Sequence, residues 1–317
     1  MGNLNYYDGK FEAYQRTYVL MDFDRCLARY LYFVIEGLLK PKLFDSRLGN
    51  TIPYIKKGML TDFDVPLPPL EEQQHIVAIL DEAFEGLDRA KANAEANLAS
   101  ARELFQAALG EAFNPPDDVK DGWAQSTVGE AFETVTGTTP KKSEKALYGD
   151  HLGLVKPPEL ADADVNSARC SDFLSEDGVK AARVAPKGAV LVGCIGNLGK
   201  LGITSEPVAF NQQINAIFPK PEAATPKFVF YYCMTPMFLD ALNARASGTT
   251  VSIVNKSKFN SIPIPLPPLE GQKRIVERLD KLRERTSLLA ASYANAKENA
   301  DKLRQSLLAK AFAGELT

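Results

Sequence analysis

The chain has 317 residues, 45% hydrophobic and 24% charged, with a net charge of −3. This length supports two or more domains with real cores, and the composition excludes wholesale disorder. No apolar run approaches the roughly 18 residues that span a bilayer, and the first residues are polar rather than a signal peptide, so a cytoplasmic protein is expected. Cys26, Cys170, Cys194 and Cys233 lie far apart with no C-x-x-C pair, which points to a reducing compartment and against a zinc site. His75 and His151 also lack metal-ligand spacing, so both read as surface or packing residues.

In chain order, Tyr14 to Leu20 is rich in strand formers, and Arg29 to Ile35 predicts a buried, aromatic-rich helix. Gly49-Asn50-Thr51-Ile52-Pro53 predicts a turn, followed by Ile55-Lys56-Lys57 and a short strand ending at Val65. Pro66-Leu67-Pro68-Pro69-Leu70-Glu71-Glu72-Gln73 then opens a long Ala/Leu-rich segment. The same phrase returns as Pro265-Leu266-Pro267-Pro268-Leu269-Glu270-Gly271-Gln272, and the offset of 199 holds without a gap to Phe113 and Phe312.

Both segments predict long helices started by their prolines, the first ended by Asn114-Pro115-Pro116. A four-three heptad seam runs through Ile76, Leu80, Ala83, Leu87, Ala90, Ala94, Asn97, Ala101, Leu104 and Ala108. Its partner keeps the register through Ile275, Leu279, Leu282, Thr286, Leu289, Tyr293, Ala296, Ala300, Leu303 and Leu307. Residues 70–121 sum to −8 and residues 265–317 to +3. Opposite charge favours pairing of the two helices, although two separately solvated faces would show the same pattern. The helix-pairing residues expected are Leu80, Leu87, Leu104, Leu279, Leu282, Leu289 and Leu303.

Residues 122–264 predict an α+β domain of short strands broken by Gly and Pro. Val184–Pro186, Ala189–Val192 and Ile214–Phe218 read as strands, Pro226–Leu242 as a helix, and Gly137–Lys142 and Gly193–Lys200 as loops. Gly193–Lys200 misses the P-loop spacing and carries Leu201 where a hydroxyl would hold magnesium. Asn114-Pro115-Pro116-Asp117 lacks the aromatic that stacks on a flipped base in adenine methyltransferases, and Asp118-Val119-Lys120 lacks a metal partner at nuclease spacing. With no Ser/His/Asp or Cys/His constellation, intrinsic catalysis is not expected. The candidate DNA contacts are loop residues: Thr138, Thr139, Lys141, Lys142, Lys156, Asn197, Lys200, Gln212, Gln213, Thr249, Thr250, Asn255 and Lys256. Lysines would position phosphates, and the amides would read base edges.

The run Gly248-Thr249-Thr250-Val251, Asn255-Lys256, Ile262 to Gln272, Arg274-Ile275-Val276, Leu279-Asp280 and Leu307 to Leu316 resembles the specificity subunits of type I restriction-modification systems. The first copy, Gly49 to Asp81, repeats it, and Gly137-Thr138-Thr139-Pro140 resembles the opening loop of that family's recognition domains. The resemblance implies globular recognition domains joined to two long antiparallel coiled-coil spacer helices. It divides the chain into part of a first recognition domain (1–66), a first helix (67–116), a complete second recognition domain (117–265) and a second helix (266–317). It further implies a non-catalytic subunit that reads a bipartite duplex DNA target and docks modification and restriction subunits. S-adenosylmethionine, ATP and magnesium would belong to those partners. About ninety residues equivalent to Trp123–Phe210 have no counterpart after Met1 in the first unit. The shortfall fits an expressed fragment, a misplaced start or a natural truncation that self-associates, and a domain missing most of its core is expected to expose Tyr30, Tyr32 and Phe33. A coiled-coil scaffold without DNA binding is the alternative reading.

Overall fold

The structure, a computed structural model, describes residues 4–15, 17–45, 55–114, 122–160 and 163–316. The predicted turn at Gly49–Pro53 and the segment from Pro115 to Lys120 lie outside the described residues. Two compact units share the two long helices. The first comprises residues 1–99 and 288–317, the second residues 100–287.

In the first unit, α1 (Ala28–Val34) runs through a π-helical turn at Ile35–Leu39 into α2 (Lys40–Asp45). A single turn, α3 (Gly58–Thr61), precedes α4 (Leu70–Phe113), whose 44 residues make it about 66 Å long. Tyr14 to Leu20 forms no strand among its described residues, and Tyr14, Tyr18, Val19 and Leu20 are exposed. No described strand lies in this unit to supply a ladder partner, which strand formers need more than they need propensity. The strand expected before Val65 is likewise absent, its place taken by α3 and an extended stretch. Tyr30 and Phe33 are buried and Tyr32 half-buried, contrary to the expected exposure. They close a core with Val34, Ile76, Leu80, Phe84, Leu308 and Ala311. At Gly37 a Cβ would stand 2.9 Å from Leu308, so this helix lies against the end of the second long helix only because the position is glycine.

The second unit is built of β1 (Ala124–Thr127), α5 (Val128–Ala131), β2 (Glu133–Thr136), β3 (Tyr148–Val155), β4 (Ala163–Val165), β5 (Asp172–Leu174), α6 (Glu176–Ala181) and β6 (Val184–Ala185). It continues with β7 (Val190–Gly193), β8 (Leu201–Thr204), β9 (Val208–Phe210), β10 (Ile214–Phe218), α7 (Pro226–Cys233), α8 (Pro236–Ala244), α9 (Lys256–Asn260), β11 (Pro263–Leu266) and the start of α10 (Leu269–Phe312). A five-stranded sheet in the order β2-β10-β7-β8-β4 faces a four-stranded sheet, β5-β3-β9-β6, across a core that includes Val155, Leu191, Phe210 and Ile214. A larger core joins α7 and α8 to both long helices through Phe105, Leu109, Phe113, Phe228, Tyr232 and Leu279. The single helix expected over Pro226–Leu242 is two, because Pro236 has no N–H to continue the ladder and Thr235 caps the restart at Phe238. The chain enters and leaves this domain through a two-stranded ribbon, β1 paired antiparallel with β11, Ala124 opposite Leu266. Pro263 and Pro265 are tolerated because β11 has no second neighbour.

Within each unit the helix halves run antiparallel. In the first unit Lys91 pairs with Asp301 at 2.5 Å, and Arg304 with Asp88 at 3.8 Å. In the second unit Arg278 pairs with Glu111 at 2.7 Å. The seam differs from the expected one by a single step per heptad. Leu80, Leu87, Leu279 and Leu282 are buried or half-buried, but Leu104, Leu289 and Leu303 are 60%, 42% and 49% exposed. The inward positions are the next residues along: Phe84, Lys91, Leu98 and Phe105 on α4, and Ala290 and Arg304 on α10. Arg304 earns its inward place by stacking 3.9 Å over Phe84 while Glu36 holds its Nε at 3.3 Å.

Gln73 and Gln272, one in each proline phrase, are fully buried. Gln73 accepts from the Leu27 N–H at 2.8 Å and donates to the carbonyls of Arg25 and Pro68 at 3.0 and 2.8 Å. Gln272 accepts from the Thr225 N–H at 3.0 Å and donates to Ala223 and Pro267 at 2.9 and 3.0 Å. Both amides are fully engaged, as burial requires. An adjacent ion pair repeats too, Arg29 with Asp81 at 2.5 Å and Lys227 with Asp280 at 2.6 Å.

Replacing Gln272 by Ala leaves an N–H and two carbonyls without partners, so chemical denaturation should show a loss of about 3 kcal/mol. For the seam, Phe105→Ala should cost about 3–5 kcal/mol and Leu104→Ala under about 0.5 kcal/mol. Equal losses at the two positions would return the seam to its expected phase.

Candidate nucleic-acid interface

Antiparallel pairing of β2, β10, β7 and β8 within the five-stranded sheet gathers separate loops at one end of it. Thr136 at the end of β2 lies opposite Asn215 at the start of β10, Ile214 lies opposite Gly193 at the end of β7, and Val192 lies opposite Leu201 at the start of β8. The loops after β2 and β7 and before β10 and β8 therefore share one rim. Parallel pairing of Val155 with Phe210 brings the end of β3 there as well. Main-chain bonds knit the rim together. Thr138 N–H donates to Phe210 O at 2.9 Å, Cys194 N–H to Gln213 O at 2.8 Å, Gly196 N–H to Ser252 O at 2.9 Å and Val254 N–H to Cys194 O at 2.9 Å.

The sequence-predicted contacts all lie in or beside these loops, but not all keep free chemistry. Thr139 Oγ1 donates to Gln212 Oε1 at 2.5 Å, the threonine half-buried and the glutamine exposed. Thr138 Oγ1 accepts from the Arg183 N–H at 3.0 Å. Lys141 is 82% exposed and only 3.8 Å from Glu144, while Lys142 and Lys256 are exposed and Lys200 half-buried. Among the described residues no carboxylate pairs with Lys142, Lys200 or Lys256. Asn197, Thr249 and Thr250 are exposed, the threonines at the tip of a loop closed by reciprocal bonds between Ser247 and Ile253 at 2.9 and 2.8 Å. Gly248 at this tip has φ +104°, the left-handed region that favours glycine.

Three predicted contacts have structural employment. Lys156 is held by Asp172 at 2.6 Å and Ser171 at 3.3 Å, its side chain 27% exposed, so its charge is already neutralised. Asn255 caps α9 by accepting from the Lys258 N–H at 2.9 Å. Gln213 Oε1 accepts from Asn211 Nδ2 at 3.0 Å, and the buried Asn211 braces the loop from beneath. Thr136 Oγ1 donates to the buried Asn215 at 2.6 Å in the same layer. Burial pushes the Cys194 thiol in this layer up to about 12, so it is inert at neutral pH. Arg183 was missed from the sequence because it lies one residue before β6, far in sequence from the Gly/Lys loops it joins. Among the described residues no group of His, Cys, Asp and Glu side chains could hold a metal ion.

Comparison with known proteins places the chain in a family. The model of the type I restriction modification DNA specificity domain matches residues 1–97 and 120–298. The chain belongs to this family. The type I specificity family supplies relatives along nearly its whole length. The EcoDI specificity subunit of Escherichia coli is 30% identical over 340 residues, spanning 98% of this chain and 75% of its own. The EcoBI specificity subunit of Escherichia coli is 24% identical over 317 residues, spanning 93% and 67%. In fold, the chain is similar to one in a structure of the type I R-M system, with a TM-score of 0.74 over 90% of this chain and 71% of that one at 24% identity. It is also similar to the HsdS subunit from Thermoanaerobacter tengcongensis, with a TM-score of 0.59 over 90% and 70% at 24% identity.

If Lys142 and Lys256 meet phosphates, each alanine variant should flatten the slope of log affinity against log salt by about 0.9. Lys156→Met should leave that slope unchanged and lower thermal stability instead. Both are read by titrating duplex binding at several salt concentrations, alongside a melting curve.

Proposed function

We propose that residues 122–264 read one half of a bipartite duplex DNA target through the rim described above. The chain thereby acts as the non-catalytic specificity subunit of a type I restriction-modification complex. Membership of the type I specificity family supports the role, and one observation supports the location. Five loops spread over more than a hundred residues of sequence converge on one rim carrying exposed lysines, threonines and amides. Those groups suit the two tasks of a DNA reader, holding phosphates and matching base edges.

On this reading, adenine methylation and ATP-driven cleavage reside in modification and restriction subunits that dock on this chain. S-adenosylmethionine, ATP and magnesium would be bound there. The proposed chemistry of this chain is selection, made by hydrogen-bonding groups preset on a rigid sheet edge rather than by a reacting side chain.

The test exchanges residues 122–264 for the corresponding domain of another specificity subunit and maps the methylated sites with modification subunits present. One half of the methylated sequence should change to that of the donor domain while the other half is kept. An unchanged target would overturn the assignment.

A further inference from the structure

The rim holds one cation that the loop reading overlooks, and its bonding differs from that of every other charge nearby. Arg183 is exposed, and its Nη1 donates to the carbonyl of Thr136 at 2.5 Å. Its own N–H donates to Thr138 Oγ1 at 3.0 Å. These two bonds straddle Gly137, where a Cβ would stand 2.1 Å from the carbonyl oxygen of Asn211 and 2.4 Å from that of Phe210. Only glycine lets the end of β2 lie flush on the turn before β10, so the carbonyl that holds Arg183 is fixed by the sheet itself.

The acceptor is neutral, and among the described residues no carboxylate pairs with Arg183. A guanidinium carries five N–H donors, and this one commits a single nitrogen to the protein. Its full positive charge and its Nε–Nη2 edge remain available. Arg245 makes the contrast: its Nε and Nη2 bond to Ser261 and its Nη1 to Ala241 O, so all three nitrogens are engaged. Lys156 has spent its charge on Asp172, and Lys141 shares its own with Glu144. Arg183 is thus the rim cation that is both held in place and electrically uncompensated.

We infer that Arg183 is a preset phosphate clamp of the DNA interface, its free guanidinium edge donating to a backbone phosphate as the duplex seats on the rim. Planar bidentate geometry suits the guanidinium to that ligand better than an ammonium. Because one nitrogen is already tethered, little side-chain freedom is lost on binding. The inference rests on the proposed reading of the rim as the DNA interface.

The experiment uses the full chain with its modification subunits and a pool of duplexes of randomised sequence. Sequences retained at low salt are read out, and affinity for the most enriched duplex is then titrated against salt. Arg183→Ala should lower the salt slope by about 0.9 and weaken binding to all duplexes alike, with the enriched sequence unchanged. Arg183→Lys should keep the slope yet bind more weakly than the native protein, because the charge stays and the tethered fork is lost. Melting curves matching the native protein would show that both variants fold. A native slope in a folded Arg183→Ala variant overturns the clamp alone. A changed enriched sequence in that variant also overturns it, in favour of a base contact. If the native complex enriches no sequence, the reading of the rim fails and the clamp falls with it.

Discussion

Everything in this chain hangs from a glutamine amide placed where water cannot reach it. A buried amide must satisfy an acceptor and two donors or cost several kcal/mol, so Gln73 and Gln272 each have one low-energy setting. In that setting the amide ties the helix start to the loop before the preceding aromatic helix and to the proline phrase just upstream. The proline stretches therefore do not bend freely. Each is a fixed junction, with its angle set by three hydrogen bonds and an ion pair from the helix about two turns beyond.

That rigidity matters because the interface is made of loops. A loop presents a side chain reliably only when its main chain is fixed from behind. Here the backing is a layer of small polar groups, Thr136, Asn211 and Asn215, beneath the half-buried Thr139 and the exposed Gln212 and Arg183. The sheet order does part of the gathering: residues 139 and 212 become neighbours because β2 and β10 run in opposite directions, and an isolated antiparallel bridge between Ile195 and Ile253 brings in the loop of Thr249 and Thr250.

The two long helices and their starts were legible from the sequence, since an ungapped repeat with heptad spacing has few other physical meanings. The phase of the seam was only half legible. Leucine at 104, 289 and 303 reads as interior by hydrophobicity, whereas the interior takes Phe105, Ala290 and Arg304. No hydrophobicity argument selects Arg304, whose place depends on Phe84 and Glu36 from elsewhere in the chain. β11 was hidden by two prolines that argue against a strand unless its edge position is known. In the interface the loop residues were found from glycine turns and polar composition. Whether a given side chain was free, as Lys256 is, or spent, as Lys156 is, depends on partners that spacing cannot reveal.

The ribbon of β1 and β11 has a consequence for how such a protein can change. Because Ala124 lies opposite Leu266, the chain's doorway into the reading domain is also its doorway out. Everything between those residues hangs on the helices as a closed pendant. Its loops can lengthen, shorten or be replaced wholesale without stretching the backbone that carries them, provided that the ribbon and the aromatic face of α7 are kept. New preferences can therefore arise by inheritance of a foreign pendant as readily as by slow substitution at the rim.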